Sequence, residues 1–282
     1  MNTDYEPQQL KKVQTAELHI LKVFDRICGE LGIEYFAEAG TELGAVRHGG
    51  FIPWDDDVDV AMARADYERF LREAPALMPP ELSLQTPYND PRCPYYFSKL
   101  RLNGTVFMEY CNRDVDMHQG IYIDIYPFDE IPDDEALNLK QYRAFQRWTR
   151  IFTLRQIPDV SRKPVNTKER ARAALRRAIH GAAKLIPVKL IVGNMDRISK
   201  AYNGTGQSRM TTLTSPVHGW DYVRLDAYRP LLKMPFEDME IAVLRDYDSN
   251  LTSLYGDYMQ PPPPEKRKGH RPYRLELGEW DH

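Results

Sequence analysis

This sequence predicts a mixed α/β fold of the α+β kind, and three observations support that class. An amphipathic helix opens the chain. Short strand-like runs, several of them alternating, fill the stretch from Ile33 to Tyr126. From about residue 131 onward, longer runs with helical spacing take over. The chain is therefore expected to divide at roughly residue 130, with a sheet-bearing core over 1–130 and a mainly helical extension over 131–282 that completes the same unit.

From about Leu10 to Leu31, the residues Ile20, Leu21, Phe24, Ile27, Cys28 and Leu31 recur on one helical stripe. Gly32 supplies the residue that closes such a helix. Ile33 to Ala37 reads as a short strand punctuated by Gly40, and Thr41 to Arg47 as one or two helical turns. His48 to Pro53 is a loop by its glycines and proline. Asp57 to Ala61 alternates strictly, with Asp57 and Asp59 on one face and Val58 and Val60 on the other. A helix follows, carrying Tyr67, Phe70, Leu71, Ala74 and Met78 on one side and stopped by Pro79-Pro80. Further strands are expected over Leu82–Gln85, Tyr95–Leu102, Thr105–Tyr110 and Gly120–Tyr126.

Helices over Glu135–Gln156, Lys168–Ile186 and Ile241–Tyr255 make up most of the extension, and Pro261 to Lys268 forms an extended tail. The second of these helices has an apolar stripe of Ala171, Ala174, Leu175, Ala178, Ile179, Ala182, Leu185 and Ile186. Its polar side carries Lys168, Arg170, Arg172, Arg176, Arg177 and Lys184 against Glu169 alone. The favoured reading buries that stripe against the protein. The competing one rests it on an anionic membrane surface.

The composition excludes several classes. In 282 residues, 42% are hydrophobic and 28% charged, which is ordinary globular usage. A net charge of −3 argues against nucleic acid as the main partner. Cys28, Cys93 and Cys111 are odd in number and form no CxxC pair, so a disulfide framework or a structural zinc site is not expected. The N-terminus lacks the apolar core of a secretory signal, and no window offers the roughly 18 uncharged apolar residues of a spanning helix. The expected location is the cytoplasm, with the inner membrane face as a peripheral contact.

The chemistry concentrates in Trp54-Asp55-Asp56-Asp57-Val58-Asp59-Val60. Aspartates this close repel one another, which raises at least one pKa unless a cation neutralises them. Oxygen-only ligands suit Mg²⁺ or Mn²⁺. Alternation points Asp57 and Asp59 to one side, with Asp55 added if the strand starts early. The opening Asp55-x-Asp57-x-Asp59 also matches a calcium loop, but that loop needs glycine where Val60 stands and glutamate where Asp66 stands. A solvated acidic turn is the plainer alternative, but the interleaved valines need burial. Asp124 sits in Ile121-Tyr122-Ile123-Asp124-Ile125-Tyr126, with isoleucines on one face. A carboxylate in so apolar a strand needs a partner, either a metal or an arginine or backbone amide.

The run from Gly40 through Arg47-His48-Gly49-Gly50-Phe51-Ile52-Pro53-Trp54 to Val60 closely resembles the signature of the LicD family, bacterial phosphocholine transferases related to the fukutin proteins. Gly120 to Asp129 resembles the family's second block, and Tyr255-Gly256-Asp257-Tyr258-Met259 with Pro262-Pro263-Pro264-Glu265 its C-terminal block. The resemblance implies a nucleotidyltransferase core like that of DNA polymerase β, with Gly40-Thr41 as its turn. In that core Asp57 and Asp59 are the paired carboxylates and Asp124 the third, all three serving catalysis and metal binding, with Asp55 as a further candidate ligand. It also implies transfer of phosphocholine, or a related phospho-alcohol, from a CDP-alcohol such as CDP-choline to a hydroxyl of a glycan or lipid-linked glycan, with CMP leaving.

Within that reading, Gly40, Thr41, Arg47 and His48 are the expected phosphate contacts, because glycine admits close backbone approach and arginine forks match phosphate oxygens. Lys99 and Arg101 share a strand face and join them as diphosphate contacts. Trp54 is read first as core packing, with stacking on a base or walling the site as the alternatives. Among 17 tyrosines no choline cage can be singled out from sequence. Two alternatives use the same aspartates: attachment of a nucleoside monophosphate to the substrate, and metal or nucleotide binding without turnover.

Overall fold

The computed structural model describes residues 6–158, 167–267, 269 and 272–281. In chain order the elements are α1 (Pro7–Leu31), β1 (Phe36–Ala37), α2 (Ala39–His48), β2 (Asp59–Ala63), α3 (Arg64–Glu73), β3 (Leu82–Gln85), β4 (Ser98–Leu102), β5 (Val106–Met108) and β6 (Tyr122–Ile131). There follow α4 (Glu135–Gln156), α5 (Thr167–Ala183), α6 (Val188–Ser199), β7 (Arg209–Thr211), β8 (Val223–Arg224), α7 (Leu225–Tyr228), β9 (Leu232–Phe236), β10 (Met239–Val243), α8 (Tyr247–Tyr255) and β11 (Arg274–Glu276). The predicted mixed α/β class holds.

The main sheet runs β1-β2-β6-β4-β3, with β7 joined to the far end of β6 and β8 to β7. β2 and β6 are parallel, and the other pairs along this path are antiparallel. α1 covers one face. Its stripe of Ile20, Leu21, Phe24, Ile27 and Cys28 shares a core with Val58, Val60, Met62, Leu100, Ile123 and Ile125. Gly32 ends α1 at φ 60°, with its N–H bonded back to the Cys28 and Gly29 carbonyls, as the helix-stop reading requires. A smaller apolar group, Phe36, Ala61, Phe128, Met210, Val223, Tyr228 and Leu244, fills the opposite side of the sheet. α4 packs on α6 through Phe145, Phe152, Ile191 and Met195.

Several expectations need correction. The acidic strand begins at Asp59, two residues later than predicted, so Asp57 lies just before it. α3 stops at Glu73, because Pro75 closes the chain into a 3-10 turn before the Pro79-Pro80 pair is reached. Ile241–Tyr255 is not one helix. Its first residues pair as β10 against β9, burying Ile241 and Val243 in the main core, and only Tyr247–Tyr255 is helical. The extension thus carries strands as well as helices. Of the predicted tail, Lys268 lies outside the described residues, and Pro264–Lys266 forms a 3-10 turn.

α5 shows the largest reversal. Ala173 is its buried residue, whereas Leu175 and Ile179 of the predicted inward stripe are 62% and 41% exposed. Among the described residues, no helix is long and apolar enough to cross a membrane.

The core assignment makes a contrast that chemical denaturation reads. Phe24 is fully buried, with the Tyr35 and Phe70 rings 4.9 and 5.2 Å away. Phe24→Ala is expected to cost about 3–5 kcal/mol of stability, whereas Leu175→Ala on the exposed face of α5 is expected to cost less than about 0.5 kcal/mol. Equal losses at the two positions would contradict this assignment of inside and outside.

Candidate active site

Strand register builds the site. Asp59 of β2 pairs with Asp124 of β6, and Asp124 pairs in turn with Lys99 of β4. Paired residues on neighbouring strands project from the same face, so the three side chains form one row across the sheet. Glu38 extends the row past β1, where its N–H donates to the Asp59 carbonyl at 3.0 Å. Gln85 ends it on the other side, opposite Lys99. A polar row of five thus crosses a sheet whose other face is apolar.

The charges in this row are not balanced. Lys99, 2% exposed, places its Nζ 2.6 and 3.0 Å from the two Asp124 oxygens. Its ammonium also lies 3.4 Å from the centre of the Tyr122 ring and 4.5 Å from that of Tyr95. Burial pushes Asp124 up to about 6, while the Lys99 ammonium pulls it down. Asp59 has no such cation among the charges that shift it most. Burial, then Asp57, Asp124, Glu38 and Asp55, hold its carboxyl well above the usual range. From beneath, Glu17 of α1 adds a buried carboxyl whose Oε2 has no hydrogen-bond partner. It too is raised well above the usual range, first by burial and then by Asp57, Asp56, Asp55 and Asp124.

α2 forms a wall of the site. It begins at Ala39, held at φ 46°, a left-handed conformation that costs a residue with a Cβ about 1–2 kcal/mol. Gly40 follows, where an added Cβ would stand 2.8 Å from Asp55 Oδ2, so only glycine lets this carboxylate lie against the helix. The Thr41 hydroxyl accepts the Asp59 N–H at 2.8 Å and fixes where β2 starts. Glu42, fully buried, ties α2 to the rest of the wall, accepting from the Leu244 N–H at 3.1 Å and from Asn250 Nδ2 at 2.7 Å. Burial raises its carboxyl to about 8 despite those two donors. Gln14 of α1 holds the acidic loop by donating to the Asp55 carbonyl at 2.9 Å.

Over this floor opens a cavity of about 490 Å³, lined by Gly40, Arg47, Trp54, Asp55, Asp57, Asp59, Tyr255 and Tyr258 among others. Arg47 Nη1 donates to the Tyr258 carbonyl at 2.5 Å, so the end of α2 and the segment after α8 close one side together. A second cavity of about 280 Å³ shares Ala39 and Tyr255 with the first and is lined by Glu38, Phe97, Tyr126, Trp220 and Asp221. There the Phe97 and Tyr126 rings lie 4.4 Å apart, and Glu38 faces Asp221, its carboxyl held well above the usual range first by burial and then by the Asp221 charge.

Of the residues singled out from sequence, Gly40, Arg47, Asp55, Asp57 and Asp59 meet at the first cavity. Asp124 stands one strand behind, on the same row. Thr41 spends its hydroxyl on the backbone, and His48 is exposed at the end of α2, with Arg47 Nε donating to its Nδ1 at 3.4 Å. Lys99 is buried against Asp124 rather than open to a diphosphate. Arg101 is 1% exposed and donates to Gln85 Oε1 at 2.5 Å and to the Gly120 carbonyl at 2.8 Å, contacts that hold strands together. Glu17, Glu38, Tyr255 and Asp221 were not singled out as site residues. Tyr255 stood inside a recognised motif, and Glu38 continued the alternation of its strand.

Among the described residues, no group of three or more His, Cys, Asp or Glu side chains stands ready to hold a metal ion. The donors nevertheless have the right chemistry: Asp55, Asp57 and Asp59 line one cavity with Asp124 adjacent, all of them carboxylate oxygens that suit a hard divalent cation. Asp124 is held by the Lys99 ammonium, which supplies part of the charge a cation would bring.

Residues 32–159 match the family model of the LicD/FKTN/FKRP nucleotidyltransferase domain. The chain is 25% identical over 267 residues to the lipopolysaccharide cholinephosphotransferase LicD of Haemophilus influenzae, covering 93% of this chain and 95% of that protein. It is 51% identical over 35 residues to the ribitol 5-phosphate transferase FKRP of mouse and of human, 12% of this chain and 7% of theirs. The chain therefore carries a LicD-family domain, as its motifs implied, and that domain spans Asp57, Asp59 and Asp124.

The Lys99–Asp124 pair gives a titration with a definite sign. Because Lys99 lowers the Asp124 pKa, Lys99→Met should move its midpoint upward from about 6. Carbon-13 NMR of labelled aspartate follows this directly. A midpoint that stays or falls would show that Lys99 does not hold Asp124 ionised.

Proposed function

We propose that this chain, a LicD-family phosphotransferase, moves phosphocholine or a related phospho-alcohol from a CDP-alcohol donor to a hydroxyl of a cell-surface glycan precursor, in a reaction that requires Mg²⁺ or Mn²⁺. The observation that carries the reading is the cavity floored by Asp55, Asp57 and Asp59 inside the family domain. The similarity to a cholinephosphotransferase and to a ribitol 5-phosphate transferase supports the reaction class. The polymerase β-like description of the core belongs to the same proposal.

In this reaction the acceptor oxygen forms a bond to the phosphorus that carries the alcohol, and the bond from that phosphorus to the bridging oxygen breaks. The electron pair leaves on CMP, and the acceptor proton passes to a base. Asp124 is our candidate for that base, since its raised pKa of about 6 keeps it mostly ionised yet basic near neutrality. A cation held by Asp57, Asp59 and Asp124, with Asp55 beside them, would neutralise charge on the diphosphate. Arg47 lines the same cavity and brings to it a guanidinium charge that suits a phosphate. Gly40 lines it too at the start of α2, with the Asp55 carboxylate against it.

The second cavity supports a cationic alcohol. Phe97, Tyr126, Trp220 and Tyr255 offer aromatic surface. Glu38 and Asp221 place two carboxyls beside these rings, each raised above the usual range first by burial. Aromatic faces bind a quaternary ammonium and have less to offer a neutral polyol. A second reading, attachment of a nucleoside monophosphate, rests on the nucleotidyltransferase description of the matched domain. Product mass separates the two.

The test incubates the protein with Mg²⁺, a panel of CDP-alcohols and glycan acceptors, following CMP and acceptor mass. One donor should release CMP with a matching mass gain on the acceptor. Asp57→Asn and Asp59→Asn should each lower the rate by about 100-fold or more. Trp220→Ala should raise KM for a choline donor by roughly 5-fold or more and spare a neutral alcohol donor. CMP release untouched by either aspartate substitution would remove this site from the chemistry, and acceptor gaining the nucleotide's mass would favour the second reading.

A further inference from the structure

We propose that α5 and the start of α6 form an in-plane contact with an anionic lipid bilayer. The proposal stands apart from the transferase reading, since it rests on a surface rather than on the acidic cavity.

α5 meets the protein through its less apolar side. Ala173 is buried there, Arg176 Nη2 donates to the Ile157 carbonyl at 3.3 Å, and His180 Nδ1 lies 3.0 Å from the Leu154 carbonyl. With 3.6 residues per turn, the opposite side carries Ala171, Leu175, Ala178, Ile179 and Ala182. Leu175 is 62% exposed and Ile179 41%. The turn that follows adds Leu185 at 85%, and α6 adds Leu190 at 53%. An amphipathic helix normally buries its apolar stripe. Here the stripe faces outward and two further exposed leucines follow it in the chain, and apolar surface left exposed in this way marks an interaction surface.

Charge identifies the occupant. Lys168, Arg170, Arg172, Lys184 and Lys189 are exposed along this region, and Glu169 is the acidic residue of α5. A second copy docking here would set these cations against their equivalents. Nucleic acid would engage the cations but has no use for four large exposed aliphatic side chains. An anionic bilayer uses both: headgroups attract the flanking cations, and the acyl boundary takes up the aliphatic stripe. A glycan acceptor carried on a lipid would lie at the same surface.

Vesicle flotation with the full chain tests this. The protein should float with vesicles of phosphatidylcholine and phosphatidylglycerol at least about tenfold more than with phosphatidylcholine alone, and less at high salt. Leu175→Glu with Ile179→Glu should abolish flotation, with circular dichroism and monomeric sedimentation unchanged, since both side chains are exposed. Arg170→Gln with Arg172→Gln should weaken binding only to the anionic vesicles. Absence of wild-type flotation on anionic vesicles would overturn the proposal. So would flotation that survives the double glutamate substitution, or self-association in sedimentation that this substitution removes.

Discussion

The buried polar row Glu38–Asp59–Asp124–Lys99–Gln85 is the constraint on which the rest of the site depends. Strand register aligns Asp59, Asp124, Lys99 and Gln85, because residues paired across β2, β6, β4 and β3 must share a face, and the Glu38 amide on the Asp59 carbonyl adds the fifth member. Three of its members are acidic and one is basic, so the row is unfavourable as it stands, and Asp59 and Asp124 answer with raised pKa values. A sheet with alanine or valine in these places would fold more stably. Arrangements that cost stability without a structural return concentrate at functional sites.

The surrounding elements keep the row in place. α1 supplies apolar cover for the opposite face and donates Gln14 to the acidic loop. α2 abuts it through Gly40, places the Thr41 hydroxyl on the Asp59 amide, and is tied by Glu42 to Leu244 and Asn250. Removing one anchor shifts carboxylates whose spacing sets both their charge and their ability to share a cation. The second half of the chain contributes more than bulk, since Tyr255, Tyr258, Trp220 and Asp221 line the two cavities. The acidic floor lies within the family domain, whereas part of the cavity wall lies outside it.

Much of this was legible in the sequence. Alternation in Val58-Asp59-Val60 and in Ile121 to Tyr126 identified the carboxylates, because period-two burial is a local signal. Cross-strand partners are not local, so Lys99 read as an open cation when register buries it against Asp124. Arg101 read likewise and proves to be a strand tie. The hairpin of β9 and β10 was hidden for the same reason: Ile241 and Val243 suit either a helix or a strand until a partner strand decides. On α5 the periodicity located the stripe correctly but said nothing about which side meets the protein.

Divalent-cation binding is the most direct test of the claim that this row is the working floor of the site. Calorimetric titration with Mg²⁺ or Mn²⁺ should give a saturable signal for the wild-type chain. It should weaken by roughly tenfold or more in Asp59→Asn and Asp124→Asn. Far-UV circular dichroism should be unchanged in both variants. Cation binding equally strong in both would contradict the account and place any metal chemistry elsewhere.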